Sequence, residues 1–120
     1  MDEIKVFDSE LKVMDIIWRN GDIQAKNIAK TIKEQVGWEK NTTYTVITNL
    51  MKKGAIERIE PGFICKALVT REQIQKQETS SLLEKMYDGS LQLFFTSFLK
   101  KEKLTPEEID ELKQIIKNQK

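Results

Sequence analysis

Apolar residues recur at helical spacing through the first third of the chain. Leu11, Met14, Ile17 and Trp18 fall at i, i+3, i+6 and i+7 and make one stripe. Asp8 or Ser9 offers an N-cap before them, and Gly21, within Arg19-Asn20-Gly21-Asp22, ends the helix. A second helix carries Ala25, Ile28, Ala29, Ile32 and Val36 on one side and stops at Gly37. The stretch "KNTTYTVITNLMKK", residues 40–53, is a third. Its apolar side is Thr43, Val46, Ile47 and Leu50 at i, i+3, i+4 and i+7; its other side holds Asn41, Tyr44, Thr45, Thr48, Asn49 and Lys52.

After Gly54 the period changes. Residues 56–68 read as two short strands around Glu60-Pro61-Gly62-Phe63, which fits a type II turn with positive φ at Gly62. Helical patterning resumes over 70–88, 91–101 and 105–118. Thr70 with Gln73 and Thr105 with Glu108 have capping-box spacing, and Ser90 stands where the middle helix needs a cap. The order is three helices, a hairpin and three helices. It predicts a mainly α protein: a winged helix-turn-helix DNA-binding domain over 1–69, then a three-helix dimerisation domain over 70–120. The tail is too apolar for short helices packed on nothing. Leu83, Met86, Leu91, Phe94, Phe95, Phe98, Leu99, Ile109, Leu112 and Ile116 are the expected dimer face. The other way to bury them is a single globular core with the N-terminal helices.

Composition narrows the function. The 120 residues hold 20 basic and 19 acidic side chains, net +1, so binding to a polyanion must come from local charge placement. No histidine is present, which removes the usual general base and the commonest zinc ligand. Cys65 is the only cysteine, so neither a disulfide framework nor a cysteine metal cluster is possible within the chain. The acidic start "MDEIKVFDSEL" lacks the form of a signal peptide, and no apolar run suggests a membrane span. These features predict a cytoplasmic protein with no membrane insertion, catalytic residue, metal, cofactor or small-molecule substrate.

The polar side of residues 40–53 is the candidate site. Between Lys40 and Lys53 there is no carboxylate to repel phosphate. Short Asn and Thr side chains let a helix approach base edges: asparagine pairs with adenine, and a threonine methyl packs on the thymine methyl. Lysines fix register on the phosphates. The candidate DNA contacts are Lys40, Asn41, Thr42, Tyr44, Thr45, Thr48, Asn49, Lys52 and Lys53, with Arg58 from the hairpin. Two other readings stay open on the residues alone: a solvated polar helix face, and a module that binds a partner protein.

With these elements placed, the chain resembles the penicillinase repressor family (BlaI and MecI type). Ser9, Glu10, Val13, Met14 and Trp18 match its opening motif. Gly37, Trp38, Thr42, Thr45, Leu50, Lys53 and Gly54 match its central segment, and "GSLQLFFTSFL" with "LTPEEIDELKQII" resembles its dimerisation tail. The resemblance implies a homodimer on palindromic operator DNA ahead of β-lactamase or related resistance genes. It also implies relief of repression by a β-lactam-sensing membrane metalloprotease that cuts the tail at an Asn-Phe bond, here Ser97-Phe98. A winged-helix repressor of another stress or efflux operon is the alternative. Asn49 replaces a basic residue common in the family, and the cysteine-rich tail of its copper-responsive members is absent.

Overall fold

The computed structural model describes residues 3–119. Its elements run α1 (Asp8–Asn20), β1 (Ile23–Gln24), α2 (Ala25–Val36), α3 (Lys40–Lys53), β2 (Ile56–Ile59), β3 (Ile64–Ala67), α4 (Arg71–Met86), α5 (Leu91–Lys101) and α6 (Pro106–Lys117). Two compact units result, one ending at Glu78 and one beginning at Thr79.

In the first unit α1, α2 and α3 enclose a core closed on one side by a small antiparallel sheet. The sheet order is β1-β3-β2; Arg58 lies opposite Cys65 in one pair and Ile23 opposite Cys65 in the other. Strand β1 is too short to leave a periodic signal in the sequence. It forms because the chain between α1 and α2 passes along the free edge of β3, and it turns a hairpin into the three-stranded sheet of a winged helix. Met14, Ile17, Ile28, Ile32, Ile47 and Leu50 are fully buried. Helix α1 buries Val13 and Ile16 as well as Met14 and Ile17, whereas Leu11 and Trp18 lie at the margin. The buried arc is therefore wider than the predicted stripe. Val36, expected inside, is 45 % exposed, because α2 runs out over solvent in its last turn.

Local chemistry explains the ends. Neither Asp8 nor Ser9 caps α1. The helix starts one residue earlier: Phe7 holds the cap position and donates its N–H to Glu10 Oε1 at 2.8 Å. Both expected capping boxes form. Thr70 Oγ1 accepts from Gln73 N at 3.1 Å, and Thr105 Oγ1 accepts from Glu108 N at 3.1 Å. Ser90 Oγ accepts from Leu93 N at 3.0 Å. The hairpin turn departs from a plain type II. Glu60-Pro61 is cis, and both Gly62 (φ 95°) and Phe63 (φ 49°) are left-handed. A Cβ at Gly62 would meet only the far end of the flexible Gln24 side chain, 2.9 Å from its Nε2, so it is the positive φ that reserves the position for glycine.

The first turns of α4 pack with the first unit. Ile74 is 3 % exposed and Gln77 Nε2 donates to Ile4 O at 2.8 Å. Cys65 is buried on β3, and burial pushes its thiol up to about 11, so it stays protonated at neutral pH. The second unit is helical throughout and contains an aromatic cluster: Tyr87 meets Phe94 edge-on, and Phe94 stacks on Phe98 at 5.8 Å. Neither α5 nor α6 buries a single residue. No described helix is long and apolar enough to cross a membrane.

Candidate nucleic-acid interface

Helices α2 and α3 are joined by Gly37, Trp38 and Glu39. Gly37 takes the left-handed conformation (φ 78°, ψ 14°), which ends α2 and re-aims the chain into α3. Trp38 packs half-buried against the core. The turn therefore fixes one helix on the other, and the buried side of α3 sets what its outer side presents.

That buried side is Thr43, Val46, Ile47 and Leu50, the four residues the period predicts. The outer side presents Lys40, Asn41, Thr42, Thr45, Thr48, Asn49 and Lys52, all exposed. Thr45 Oγ1 donates to Asn41 O and Thr48 Oγ1 donates to Tyr44 O, both at 2.9 Å. These bonds use each hydroxyl's only proton. What remains at the surface is a methyl group and acceptor lone pairs. Such threonines can accept from an exocyclic amine or pack on a thymine methyl, and they cannot donate without giving up the helical bond.

Three predicted residues are tied into the protein. Tyr44 is half-buried and meets the Phe63 ring edge-on at 5.8 Å, so it bolts α3 to the hairpin turn while Lys40 lies 5.6 Å above its ring. Lys53 points away from the polar face. It pairs with the buried Glu10 carboxylate, donates to Lys5 O at 2.9 Å and lies 4.0 Å above the Phe7 ring. Arg58 pairs with Glu60 and stacks 3.8 Å over Phe63. The hydrogen bond from Arg58, helped by the Phe63 N–H, holds the Glu60 carboxyl below its usual range. The charge of Arg58 is met by Glu60 two residues on in the hairpin, and that of Lys53 by Glu10, 43 residues away, which charge patterning along the chain does not reveal.

Another basic group comes from α2. Lys26, Lys30 and Lys33 stand at i, i+4 and i+7, and with Lys40, Ala29 and Glu39 they line a shallow hollow of about 310 Å³ between α2 and the start of α3. Its sequence signal is the helical spacing of those lysines opposite Ile28 and Ile32. Residues 25–53 thus carry Lys26, Lys30, Lys33, Lys40, Lys52 and Lys53 against only Glu34 and Glu39, in a chain of net charge +1.

In the second unit the predicted dimer residues lie open. Met86 is 69 % exposed and Ile116 71 %; Leu91, Phe95, Phe98, Leu99, Ile109 and Leu112 are also exposed, and Leu83 and Phe94 half-buried. Ser97 and Phe98 sit within α5 in regular helix.

A family model described as penicillinase repressor matches residues 7–118. A penicillinase repressor of Bacillus licheniformis is 30% identical over 118 residues, covering 97% of this chain and 92% of the relative. The methicillin resistance regulatory protein MecI of Staphylococcus aureus is 33% identical over 114 residues, covering 93% of each chain. Among solved structures, the DNA-binding domain of the repressor BlaI superposes with a TM-score of 0.55 at 28% identity, over 61% of this chain and 93% of that one. The monomeric form of Bacillus licheniformis BlaI in complex with the blaP half-operator gives 0.54 at 28% identity, with the same coverage.

Proposed function

The chain belongs to the penicillinase repressor family, and from that premise we propose that it is a homodimeric repressor of β-lactam resistance genes which reads a palindromic operator through α3. Members of the family are transcriptional repressors and not enzymes. The observation that carries the reading is the outer face of α3: seven exposed Lys, Asn and Thr residues with no acid among them. Asn41, Thr42, Thr45, Thr48 and Asn49 meet base edges, while Lys40 and Lys52 meet phosphates. Tyr44, Lys53 and Arg58 hold the reading helix and the hairpin in place. The first unit supplies DNA contact and the second joins two copies, which doubles the site read and matches operator symmetry to protein symmetry.

Release follows from the same division. A cut at Ser97-Phe98 by a β-lactam-activated membrane metalloprotease removes the end of α5 and all of α6. Without them the dimer face is halved, and each first unit binds its half-site alone, without the gain that linkage gives. Within one chain α5 buries no residue, so the second copy is what shields this bond, and cleavage proceeds when the dimer face opens.

Quantitative binding to the DNA upstream of the gene tests the reading. Thr45→Ala with Thr48→Ala should lower the ratio of operator to random-duplex affinity by about 10-fold or more, with little change on random duplex. Equal loss on both duplexes would overturn the assignment of α3 as the reading element. Affinity insensitive to salt would overturn DNA binding altogether.

A further inference from the structure

We propose that the lysine row of α2 is the main phosphate contact of this protein and that Glu39 restrains it. The inference rests on the DNA-binding reading above and shifts its electrostatic centre from the C-terminal end of α3 to the junction of α2 and α3.

Salt-dependent affinity requires lysines that are free to meet phosphate. At the end of α3 Lys53 is committed to Glu10, which leaves Lys52 there alone, and on the hairpin Arg58 is paired with Glu60. At the other end the supply is larger. Lys26, Lys30 and Lys33 share one face of α2, and their Cα atoms span about 10 Å of helix. Each DNA strand carries one charge per ~3.4 Å of axis, so a span of that length covers more than one phosphate. Lys40 extends the row onto α3 across the same hollow. Among the described residues, neither Lys26 nor Lys30 enters an ion pair. The floor of the hollow is Ala29, 6 % exposed, whose small side chain lets a sugar-phosphate strand come close. The placement also suits the geometry of helix-turn-helix docking, in which the helix before the reading helix crosses the backbone.

Glu39 is the one carboxylate that lines this hollow. Its Oε2 lies 3.7 Å from Lys33 Nζ, and both side chains are well exposed, 76 % and 63 %. A pair so open to water contributes little to stability. Its Oε2 makes no cap for α3 either, since the N-cap residue accepts no side-chain hydrogen bond. What Glu39 does is neutralise Lys33 and place a negative charge beside the approaching phosphates. It acts as a brake on non-specific affinity.

The test uses the full-length protein and duplex DNA, operator and random, over a series of salt concentrations. Lys26→Gln with Lys30→Gln should lower the slope of log affinity against log salt by about 0.9 for each lysine that meets a phosphate, with the same change on both duplexes. Lys12→Gln with Lys76→Gln removes the same charge from exposed positions on α1 and α4 and should leave the slope unchanged. Glu39→Gln should raise affinity for both duplexes several-fold at low salt, an advantage that fades as salt rises. All replaced residues are exposed, and an unchanged unfolding midpoint verifies each fold. If the α2 pair keeps the wild-type slope, or both pairs lower it equally, the lysine row is not the phosphate contact although DNA binding stands. If Glu39→Gln leaves affinity unchanged, the brake is absent. If the wild-type protein itself shows no salt-dependent binding, both this inference and the DNA-binding reading fall together.

Discussion

The two units of the chain use the same apolar residues to opposite ends. Up to Glu78, Met14, Ile17, Ile28, Ile32, Ile47 and Leu50 disappear completely from solvent, and Glu10, the one buried carboxylate among the described residues, meets Lys53 and the Phe7 N–H. From Thr79 onward, α5 and α6 hold leucines, isoleucines and phenylalanines at equally good helical spacing and bury none of them. Spacing alone therefore makes an amphipathic helix and not a core. The first unit has three helices and a sheet to enclose its apolar faces. The second leaves a set of open faces far beyond scattered surface leucines, the kind of surface that marks an interaction site. The first unit encloses its own apolar core, and the second leaves its apolar faces open.

The largest test breaks the first half of that contrast. Leu50 is fully buried on α3, so Leu50→Ala should cost about 2–5 kcal/mol from lost burial and the cavity left behind. Both tryptophans, Trp18 and Trp38, lie in the first unit, so their fluorescence during urea unfolding reports on that unit alone. Ile116→Ala, at a side chain 71 % exposed, should leave the same midpoint where it is. An equal loss from both would mean that the first unit does not stand on its own core.

Next comes the second half. Phe98 is 46 % exposed and stacked on Phe94 one turn earlier in α5. If a second copy covers this face, Phe98→Ala should weaken self-association by about 2 kcal/mol, or roughly 30-fold, as aromatic residues at interface centres do. Sedimentation over a concentration series reads this directly. An association constant unaltered by both Phe98→Ala and Leu112→Ala would place the interface elsewhere.

How far these units were legible in the sequence follows from which forces act locally. The division of α3 into a buried and an outer face was readable, because burial on a helix follows its period: Thr43, Val46, Ile47 and Leu50 went in, while Thr45 and Thr48 stayed out. The caps at Thr70, Ser90 and Thr105 were readable for a similar reason, since donor and acceptor lie three residues apart. Pairing across long separations was not. Lys53 and Glu10 are 43 residues apart, and nothing near either announces the other. Strand β1 exists only because β3 offers it an edge, and two residues cannot show a period. The lysines of α2 were a different omission. Their signal was present, but a lysine on a helix surface counts for little until the start of α3 is seen beside it.

A smaller effect separates the two lysines that end α3. Lys53 is 27 % exposed and its partner Glu10 only 5 %, so Lys53→Met should destabilise the first unit by about 1–3 kcal/mol, the cost of leaving a buried carboxylate without its cation, reduced for solvent access to the lysine. Lys52 is exposed and enters no ion pair among the described residues, and Lys52→Met should stay within about 0.5 kcal/mol in stability. In DNA binding the order should invert: Lys52→Met lowers the salt slope, and Lys53→Met leaves it unchanged under conditions where the variant is folded. Matching effects in either assay would erase the distinction between a lysine that builds the unit and one that serves its surface.

The smallest effect concerns the one flaw in the closed core. Thr43 is fully buried, and its Oγ1 is the one buried side-chain polar atom among the described residues without a hydrogen-bond partner. Its neighbours Thr45 and Thr48 each return their proton to the carbonyl one turn earlier; Thr43 does not. A buried hydroxyl without a partner costs about 1–3 kcal/mol. Valine keeps the β-branched shape and a comparable helix propensity while replacing the hydroxyl with a methyl group. Thr43→Val should therefore stabilise the first unit by about 1 kcal/mol, seen as a higher urea midpoint by tryptophan fluorescence, and leave operator affinity unchanged, because this side chain faces the core. A lower midpoint would mean that the hydroxyl is satisfied by water reaching between α3 and its neighbours. The first unit would then be less tightly closed than its contrast with α5 and α6 requires.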